Sequence, residues 1–244
     1  MKKDILIIIP AHNEEKNLPE VIKKIRNSIQ EANILVIDDC STDNTKNKLR
    51  DLNVNFIHLP VNLGYGGAVQ TGLKYAVEKG YPLIVLLDGD GQHEPSEIPK
   101  LLRKLEENNL DLVIGSRFKD TYHPVYSIPF FRKLGMIFFS RITSLLIHQK
   151  MRDTTSGFQV FNNKVASILS EIYPSDFPDA QVIILLKKLS FKIGEVQVKM
   201  HQRQTGKSMI TFFKSIYYPF RIFLSIFIIL LRLFIMKFSK EKNV

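Results

Sequence analysis

The chain has 244 residues, of which 45% are hydrophobic and 24% charged, a balance that excludes wholesale disorder. Its single cysteine excludes both a disulfide framework within the chain and a zinc cluster built from thiolates. Residues 1–115 carry 14 Lys/Arg and 17 Asp/Glu, a net charge of −3, whereas residues 116–244 carry 20 and 7, a net charge of +13. This asymmetry predicts that the second part meets an anionic partner: nucleic acid, a membrane surface or a phosphorylated ligand.

Strand and helix patterns alternate along the first 115 residues. Strands are predicted at 5–9, 34–37, 55–59, 83–87 and 112–114, with helices at 15–31, 43–52, 66–77 and 95–107. This alternation predicts an α/β fold with a doubly wound, mostly parallel, Rossmann-like sheet. Ligands of such sheets bind at the carboxyl ends of the strands, where the polar clusters of this sequence also fall.

The pattern changes after residue 118. Segment 122–150 mixes Phe and Leu with Arg and Lys, which predicts an amphipathic helix; it either faces a membrane or packs on the sheet as a lid. One or two helices are predicted over 163–188, a strand over 191–198 and a polar loop over 199–208.

The last 36 residues, 209–244, contain an apolar run at 222–236 followed by a Lys-rich tail. The run is shorter than the roughly 20 residues that cross a bilayer. We expect a helix that lies in or shallowly inserts into the membrane surface, with a C-terminal core helix as the alternative. We also expect residues 1–208 to form the catalytic domain, and the start of the chain to be a strand rather than a secretory signal.

The most specific local pattern is Asp88-Gly89-Asp90-Gly91-Gln92, directly after a buried strand. Mg²⁺ and Mn²⁺ prefer one or two carboxylates together with phosphate oxygens. Two carboxylates this close together also need a cation or a donor to offset their repulsion. The pattern therefore predicts a divalent-metal site.

Two further loops carry polar side chains at predicted strand ends. Residues 38–45 (D-D-C-S-T-D-N-T) include helix-capping residues, but Asp38 and Asp39 exceed what capping requires and could accept hydrogen bonds from a nucleobase or ribose. Residues 10–15 (P-A-H-N-E-E) similarly place polar side chains over the sheet edge, or simply begin a helix. The Gly-rich run at 62–68 fits neither a dinucleotide fingerprint nor a P-loop, and predicts a tight turn before a helix.

Taken in order, seven blocks resemble the family 2 inverting glycosyltransferases, in particular the polyprenyl-phosphate enzymes typified by dolichyl-phosphate mannose synthase. They are P-A-H-N-E-E at 10–15, D-D-C-S-T-D at 38–43, N-L-G-Y-G-G-A at 62–68, D-G-D-G-Q-H at 88–93, G-S-R at 115–117, D-T-T-S-G-F-Q-V-F at 153–161 and Q-R-Q-T-G-K-S at 202–208. The sequence departs from the family at Gly89, where Ala is frequent, and at Cys40, where Gly is common.

This resemblance implies a site for a nucleotide-diphosphate sugar. The implied donor-binding residues are Pro10, Ala11, Asn13, Glu14, Asp38, Asp39, Asp88, Gly89, Arg203 and Lys207. Mg²⁺ or Mn²⁺ would be held on the diphosphate by Asp88, Asp90 and Gln92. As a ligand of this cation, Asp90 is also an implied catalytic residue. Arg117 and Arg132 match positions that bind the acceptor phosphate.

The implied partners are a donor such as GDP-mannose or a UDP-hexose, a polyprenyl phosphate acceptor and the cytoplasmic face of the membrane, with a separate membrane partner or flippase completing the pathway. An acceptor phosphate is ionised at neutral pH and needs no general base. His93 and His123 are candidate bases, although a structural role is expected for both, and Asp153 is expected to position the acceptor-side loop.

The sequence leaves three alternative functions to compare with this one. A family 2 transferase acting on a saccharide hydroxyl would need a carboxylate base and would leave the basic, Phe-rich segment without a lipid to meet. An idle membrane-bound scaffold is disfavoured by the intact D-x-D pattern. Nucleic-acid binding is disfavoured because the basic residues alternate with long aliphatic ones instead of forming a polar basic face.

Overall fold

The computed structural model describes residues 4–118, 130–174 and 178–202. Within these ranges the chain forms one seven-stranded sheet covered by helices. The strands are β1 (Ile5–Ala11), β2 (Asn33–Asp38), β3 (Asn55–His58), β4 (Leu83–Leu86), β5 (Leu112–Ser116), β6 (Gln159–Asn162) and β7 (Ile193–Gln197). The helices are α1 (Leu18–Ser28), α2 (Thr45–Asp51), α3 (Gly64–Glu78), α4 (Ile98–Glu107), α5 (Phe130–Ile147), α6 (Asn163–Ile172) and α7 (Pro178–Lys188), with a short 3-10 helix at Pro95–Glu97.

The sheet has the order β3-β2-β1-β4-β6-β5-β7 and is mixed. Strand β6 runs antiparallel to both of its neighbours, β4 and β5, and the remaining pairings are parallel. The prediction of a mostly parallel sheet is therefore confirmed, but β6 was not predicted. Four residues that begin with a buried glutamine, Gln159, give too short an apolar pattern to identify a strand.

Two hydrophobic cores lie on opposite faces of the sheet. Alternate residues of β1 enter different cores. Ile8 belongs to the core that contains residues of α3, α5, α6 and α7, whereas Ile7 and Ile9 belong to the core that contains residues of α1, α2 and α4. This is why β1 is a continuous apolar run, since a strand covered on both faces has no solvent-facing side. The predicted doubly wound arrangement is confirmed.

Helix α5 packs on the sheet and also exposes an apolar stripe. Its inward side places Phe139 and Ile147 in the same core as α3. Its outward side exposes Leu134, Phe138 and Leu145, the last of these 74% exposed. Of the two interpretations left open for this segment, packing on the sheet is observed, and the exposed stripe leaves an apolar face available to a membrane.

Within the described ranges, no helix combines the length and hydropathy needed to span a membrane. The apolar run at 222–236 and the predicted domain boundary at 208 lie outside the described residues.

The topology gathers the polar loops at one edge of the sheet. Strands β1, β2, β4 and β5 all end there, and Ala11 of β1 is paired with Asp38 of β2. Because β6 runs in the opposite direction, the segment that precedes it, 153–158, reaches this same edge, and the Gly115 N–H donates to the Phe158 carbonyl. Loops separated by more than 100 residues in sequence thus form one site.

Candidate active site

The predicted divalent-metal site lies in residues 88–92, called the metal loop below, which follow β4 at the carboxyl edge of the sheet. The Leu87 N–H donates to the carbonyl of Ile8, which carries the β4 pairing one residue further and places Asp88 beside the end of β1. Asp90 Oδ1 accepts the Gln92 N–H at 3.0 Å, and Gly91 has a φ of +76°, so the loop turns back after Asp90. Gly89 lies close to β1, so that a Cβ added at this position would be 3.3 Å from the Pro10 carbonyl oxygen.

The buried His93 side chain is hydrogen-bonded to the backbone of this loop. Its ring is 6% exposed and stacks on Phe158, with the ring centroids 5.0 Å apart. Its Nδ1 accepts the Asp88 N–H at 3.1 Å, which requires Nδ1 to be unprotonated. Burial lowers the pKa of His93 to about 4, against a smaller opposing effect of Asp90. The expected structural role of His93 next to the metal loop is therefore supported, whereas His123 lies outside the described residues.

Segment 200–202 is attached to the metal loop. The His201 N–H donates to the Gln92 carbonyl at 2.7 Å, and the Gln92 side-chain amide donates to the His201 carbonyl at 3.3 Å. The His201 ring is also 2.9 Å from Glu94. Burial of Glu94 acts in the opposite direction, but hydrogen bonds from His201 and Ser96 leave its pKa below the usual value. The two predicted diphosphate-binding residues that follow in the chain, Arg203 and Lys207, lie outside the described residues.

The donor set of the loop fits Mg²⁺ or Mn²⁺. Asp88, Asp90 and Gln92 offer only hard oxygen ligands, which suit these ions and leave further positions for phosphate oxygens and water. Among the described residues, no group of three or more His, Cys, Asp and Glu could hold a metal ion, so a closed, all-protein site is not present in that part of the chain. An open site completed by a diphosphate is what two carboxylates and one amide can form.

Asn13 links the loops after β1 and β2. Its backbone has a φ of 57°, and its side-chain oxygen accepts the N–H groups of Thr42 and Asp43 at 2.8 and 3.2 Å. Its own N–H donates to the Ser41 hydroxyl. The structure thus uses Asn13 to hold two site loops together. Its neighbour Glu14 is 7% exposed, and the Glu14 N–H donates to the Thr45 hydroxyl.

Asp38 and Asp39 are buried at the carboxyl end of β2, at the same edge of the sheet. Asp38 is fully buried, with one carboxylate oxygen 2.7 Å from His58 Nδ1 and the other accepting the Ser41 N–H. Asp39 Oδ1 accepts the Leu63 N–H at 2.7 Å and so anchors the turn before α3. These hydrogen bonds use part of the accepting capacity of both carboxylates, and their contact with a nucleobase or ribose stays a prediction. The N-cap of α2 is Asn44, which makes no side-chain capping hydrogen bond, while Asp43 Oδ1 accepts the Thr45 N–H.

Arg117 follows β5 and forms a buried ion pair with Asp153. Asp153 Oδ2 accepts both the Arg117 backbone N–H at 3.0 Å and its Nε at 2.7 Å, while Arg117 Nη2 donates to the Thr155 carbonyl. Arg117 is 7% exposed and Asp153 is 1% exposed. Asp153 therefore positions the 153–155 loop, as expected. Arg132 lies on α5, and its side chain is outside the described part of the chain.

Two site residues were not recognised in the sequence. Tyr65, in the first turn of α3, donates from its hydroxyl to Asp88 Oδ1 at 3.1 Å. Gly157, just before β6, lies against the Asp88 carboxylate. Both occur within blocks that carry the family resemblance, 62–68 and 153–161, but nothing in their spacing indicates contact with Asp88.

Comparisons with known proteins agree on a family. The model of Glycosyl transferase family 2 matches residues 6–168, more than half of the chain. The chain is 33% identical over 216 residues to the UDP-N-acetylglucosamine–dolichyl-phosphate N-acetylglucosaminyltransferase of Methanococcus voltae, which covers 81% of this chain and 85% of that protein. It is 29% identical over 212 residues to the undecaprenyl-phosphate mannosyltransferase of Micrococcus luteus, which covers 84% and 86%.

A solved structure shows the same fold. Glucosyl-3-phosphoglycerate synthase from Mycobacterium tuberculosis, crystallised with Mn²⁺ and UDP-glucose, has a TM-score of 0.61 at 19% identity, covering 84% of this chain and 73% of that one. The polar edge, the family match and the close relatives therefore agree: the chain belongs to glycosyl transferase family 2, is a glycosyltransferase, and groups with the polyprenyl-phosphate enzymes.

Proposed function

We propose that this enzyme transfers a sugar from a nucleotide-diphosphate sugar to a polyprenyl phosphate at the cytoplasmic face of the membrane, in a reaction that depends on a divalent cation and inverts the anomeric configuration. Residues 1–208 form the catalytic domain of this proposal, and 209–244 its membrane attachment. The relatives support the acceptor class, since two of them are named for dolichyl and undecaprenyl phosphate.

The observation that carries the proposal is the position of Asp88 and Asp90 where β4 ends beside β1. This edge is where ligands of open α/β sheets bind. A divalent cation held there by Asp88, Asp90 and Gln92 would offset the negative charge that develops on the leaving diphosphate. The solved Mycobacterium tuberculosis structure of the same fold contains Mn²⁺ with UDP-glucose, which supports this assignment.

The reaction follows from the charges of its partners. An oxygen of the acceptor phosphate attacks the anomeric carbon, the bond from that carbon to the diphosphate oxygen breaks, and the nucleoside diphosphate leaves from the opposite face. The phosphate monoester has a second pKa of about 6, so it is already a nucleophile at neutral pH. The remaining task of the protein is to bring two anions together, for which we propose Arg117, Arg132, Arg203 and Lys207.

The acceptor side of the edge favours a phosphate over a sugar hydroxyl. A hydroxyl acceptor would need a carboxylate or histidine base. Asp153 is bonded to Arg117, and Glu195 accepts the backbone N–H groups of Arg152 and Asp153. His93 is buried, and its pKa is about 4. Asp153, Glu195 and His93 are therefore engaged in structural hydrogen bonds, and none of the three is placed as a base for a hydroxyl acceptor.

Membrane attachment is proposed from α5 and the C-terminal run. The outward stripe of α5 combines Leu134, Phe138 and Leu145 with the exposed Arg141. Apolar side chains interleaved with a basic residue suit the boundary between acyl chains and anionic headgroups. For the apolar run at 222–236 we propose a role in membrane attachment from its sequence alone.

The test is transfer into a lipid phase. The full chain in detergent is incubated with a polyprenyl phosphate, Mn²⁺ and a panel of radiolabelled nucleotide sugars that includes GDP-mannose, UDP-glucose and UDP-N-acetylglucosamine, and the label is then extracted into organic solvent. We expect one donor to label the lipid phase. Asp90→Ala should abolish this labelling, because one of two metal carboxylates is lost. The control Asp51→Ala changes an exposed carboxylate at the end of α2 and should retain labelling.

Each alternative gives a different result. Label transferred only to a water-soluble saccharide would identify a hydroxyl acceptor. Neither transfer nor hydrolysis of any donor would identify a scaffold. Full labelling by Asp90→Ala would refute the metal assignment, whichever donor is used.

A further inference from the structure

Tyr65 connects the first turn of α3 to the metal loop. Its hydroxyl lies 3.1 Å from Asp88 Oδ1 and donates a hydrogen bond to it. The ring packs against the core on the α3 face of the sheet, and the turn before it is anchored where the Leu63 N–H donates to Asp39. The ring and the turn that carries it are therefore held by contacts other than the hydrogen bond to Asp88.

His93 and Gly157 flank the Asp88 carboxylate, whose side chain is still 29% exposed. His93 Nε2 lies 3.7 Å from Asp88 Oδ2, and His93 Nδ1 accepts the Asp88 N–H. A Cβ placed on Gly157 would be 2.8 Å from the Tyr65 hydroxyl oxygen and 2.9 Å from each Asp88 carboxylate oxygen. Such distances do not occur for real side chains, so a residue with a Cβ at 157 would displace Tyr65 or Asp88.

We infer that Tyr65 is a positioning residue, which orients the Asp88 carboxylate for the divalent cation. The terminal torsion of an aspartate is broad, so a carboxylate without a fixed donor samples several orientations. A hydrogen bond from a rigid phenol selects one of them, and such outer partners typically change metal affinity 10–100-fold when removed. This inference rests on the proposed function, because it takes Asp88 as a ligand of the cation.

The experiment measures Mn²⁺ binding directly, without turnover. Purified full-length protein in detergent is titrated with Mn²⁺ alone, and free Mn²⁺ is followed by electron paramagnetic resonance. Tyr65→Phe should raise the Kd for Mn²⁺ about tenfold, at the low end of the range for outer partners. The matched control is Tyr75→Phe on the same helix, which removes a hydroxyl from a ring stacked on Tyr81 and should leave the Kd unchanged.

A double-mutant cycle identifies the route of the effect. If Tyr65 acts through Asp88, Tyr65→Phe should weaken Mn²⁺ binding no further in an Asp88→Asn background, because coupled residues are not additive. Gly157→Ala provides a second perturbation of the same carboxylate and should also weaken binding. Thermal unfolding of each variant checks that the titrations are made on folded protein.

The outcomes separate this inference from the proposed function. An unchanged or tighter Mn²⁺ affinity in Tyr65→Phe, with affinity lost in Asp90→Ala, would overturn the role of Tyr65 and leave the proposed function standing. Additive effects of Tyr65→Phe and Asp88→Asn would overturn it as well. If neither Asp88→Asn nor Asp90→Ala altered Mn²⁺ binding, both the metal assignment and the role of Tyr65 would fail, and lipid labelling would still decide the transfer reaction.

Discussion

Replacing His93 by glutamine should remove one component of the protein's sensitivity to acid. His93 is 6% exposed, and burial lowers its pKa from 6.5 to about 4. In the unfolded chain the imidazole regains its ordinary pKa, so as the pH falls the unfolded state binds this proton first. The free energy of unfolding therefore decreases as the pH falls from about 6.5 to about 4. Below about pH 4 both states bind the proton, and His93 causes no further decrease.

The size of the effect follows from the difference in pKa. A difference of about 2.5 units corresponds to about 3 kcal/mol in total, of which about 2 kcal/mol is lost by about pH 5. Glutamine does not titrate and retains a carbonyl oxygen that can accept the Asp88 N–H. We therefore expect His93→Gln to be less stable than the wild type at neutral pH and to lose less stability on acidification.

The assay is urea denaturation of both proteins at about pH 7.5 and pH 5, in the presence of a chelator so that no metal binds to the loop. Because the chain has no tryptophan, unfolding is followed by far-UV circular dichroism. The comparison of the two proteins cancels the contributions of other groups that titrate in this range. An equal loss of stability in both proteins would show that the pKa of His93 is the same in the folded and unfolded states, and would refute the reasoning.

Two further predictions concern the acceptor side and the core. Arg117→Ala leaves Asp153 buried without its cationic partner and should lower the free energy of unfolding by about 3–5 kcal/mol. In the fraction of the variant that folds, KM should rise more for polyprenyl phosphate than for the donor. Equal increases of the two KM values would assign Arg117 to the donor. Gly72→Ala on α3 should destabilise the fold in urea denaturation, because its Cβ would lie 2.5 Å from Ile8 Cγ2, whereas Gly135→Ala on α5 meets no atom within 4 Å and should raise stability by about 0.5–1 kcal/mol. Equal effects of the two glycine substitutions would contradict this account.

The fold was predictable wherever one local pattern sufficed. The predicted strands over 5–9 and 83–87 are continuous apolar runs, and both are buried central strands. Helix α4 begins with Pro at its first turn and carries a regular apolar stripe, Leu101 and Leu105 among it, which fixes both its type and its buried face. Strand β6 was missed because its identity comes from the two strands on either side of it and not from its own four residues.

The sequence by itself determined that this is an α/β enzyme with two carboxylates after a central strand, because a buried strand followed by D-x-D is a local pattern. Only the tertiary structure decided how the other polar residues are used. Arg117 meets Asp153 because β6 returns antiparallel beside β5, and Tyr65 meets Asp88 because α3 begins beside the end of β4. Asp38 meets His58 because β2 pairs with β3. Such pairings join residues 20 or more positions apart, and the order of strands in the sheet, which no local pattern encodes, sets them.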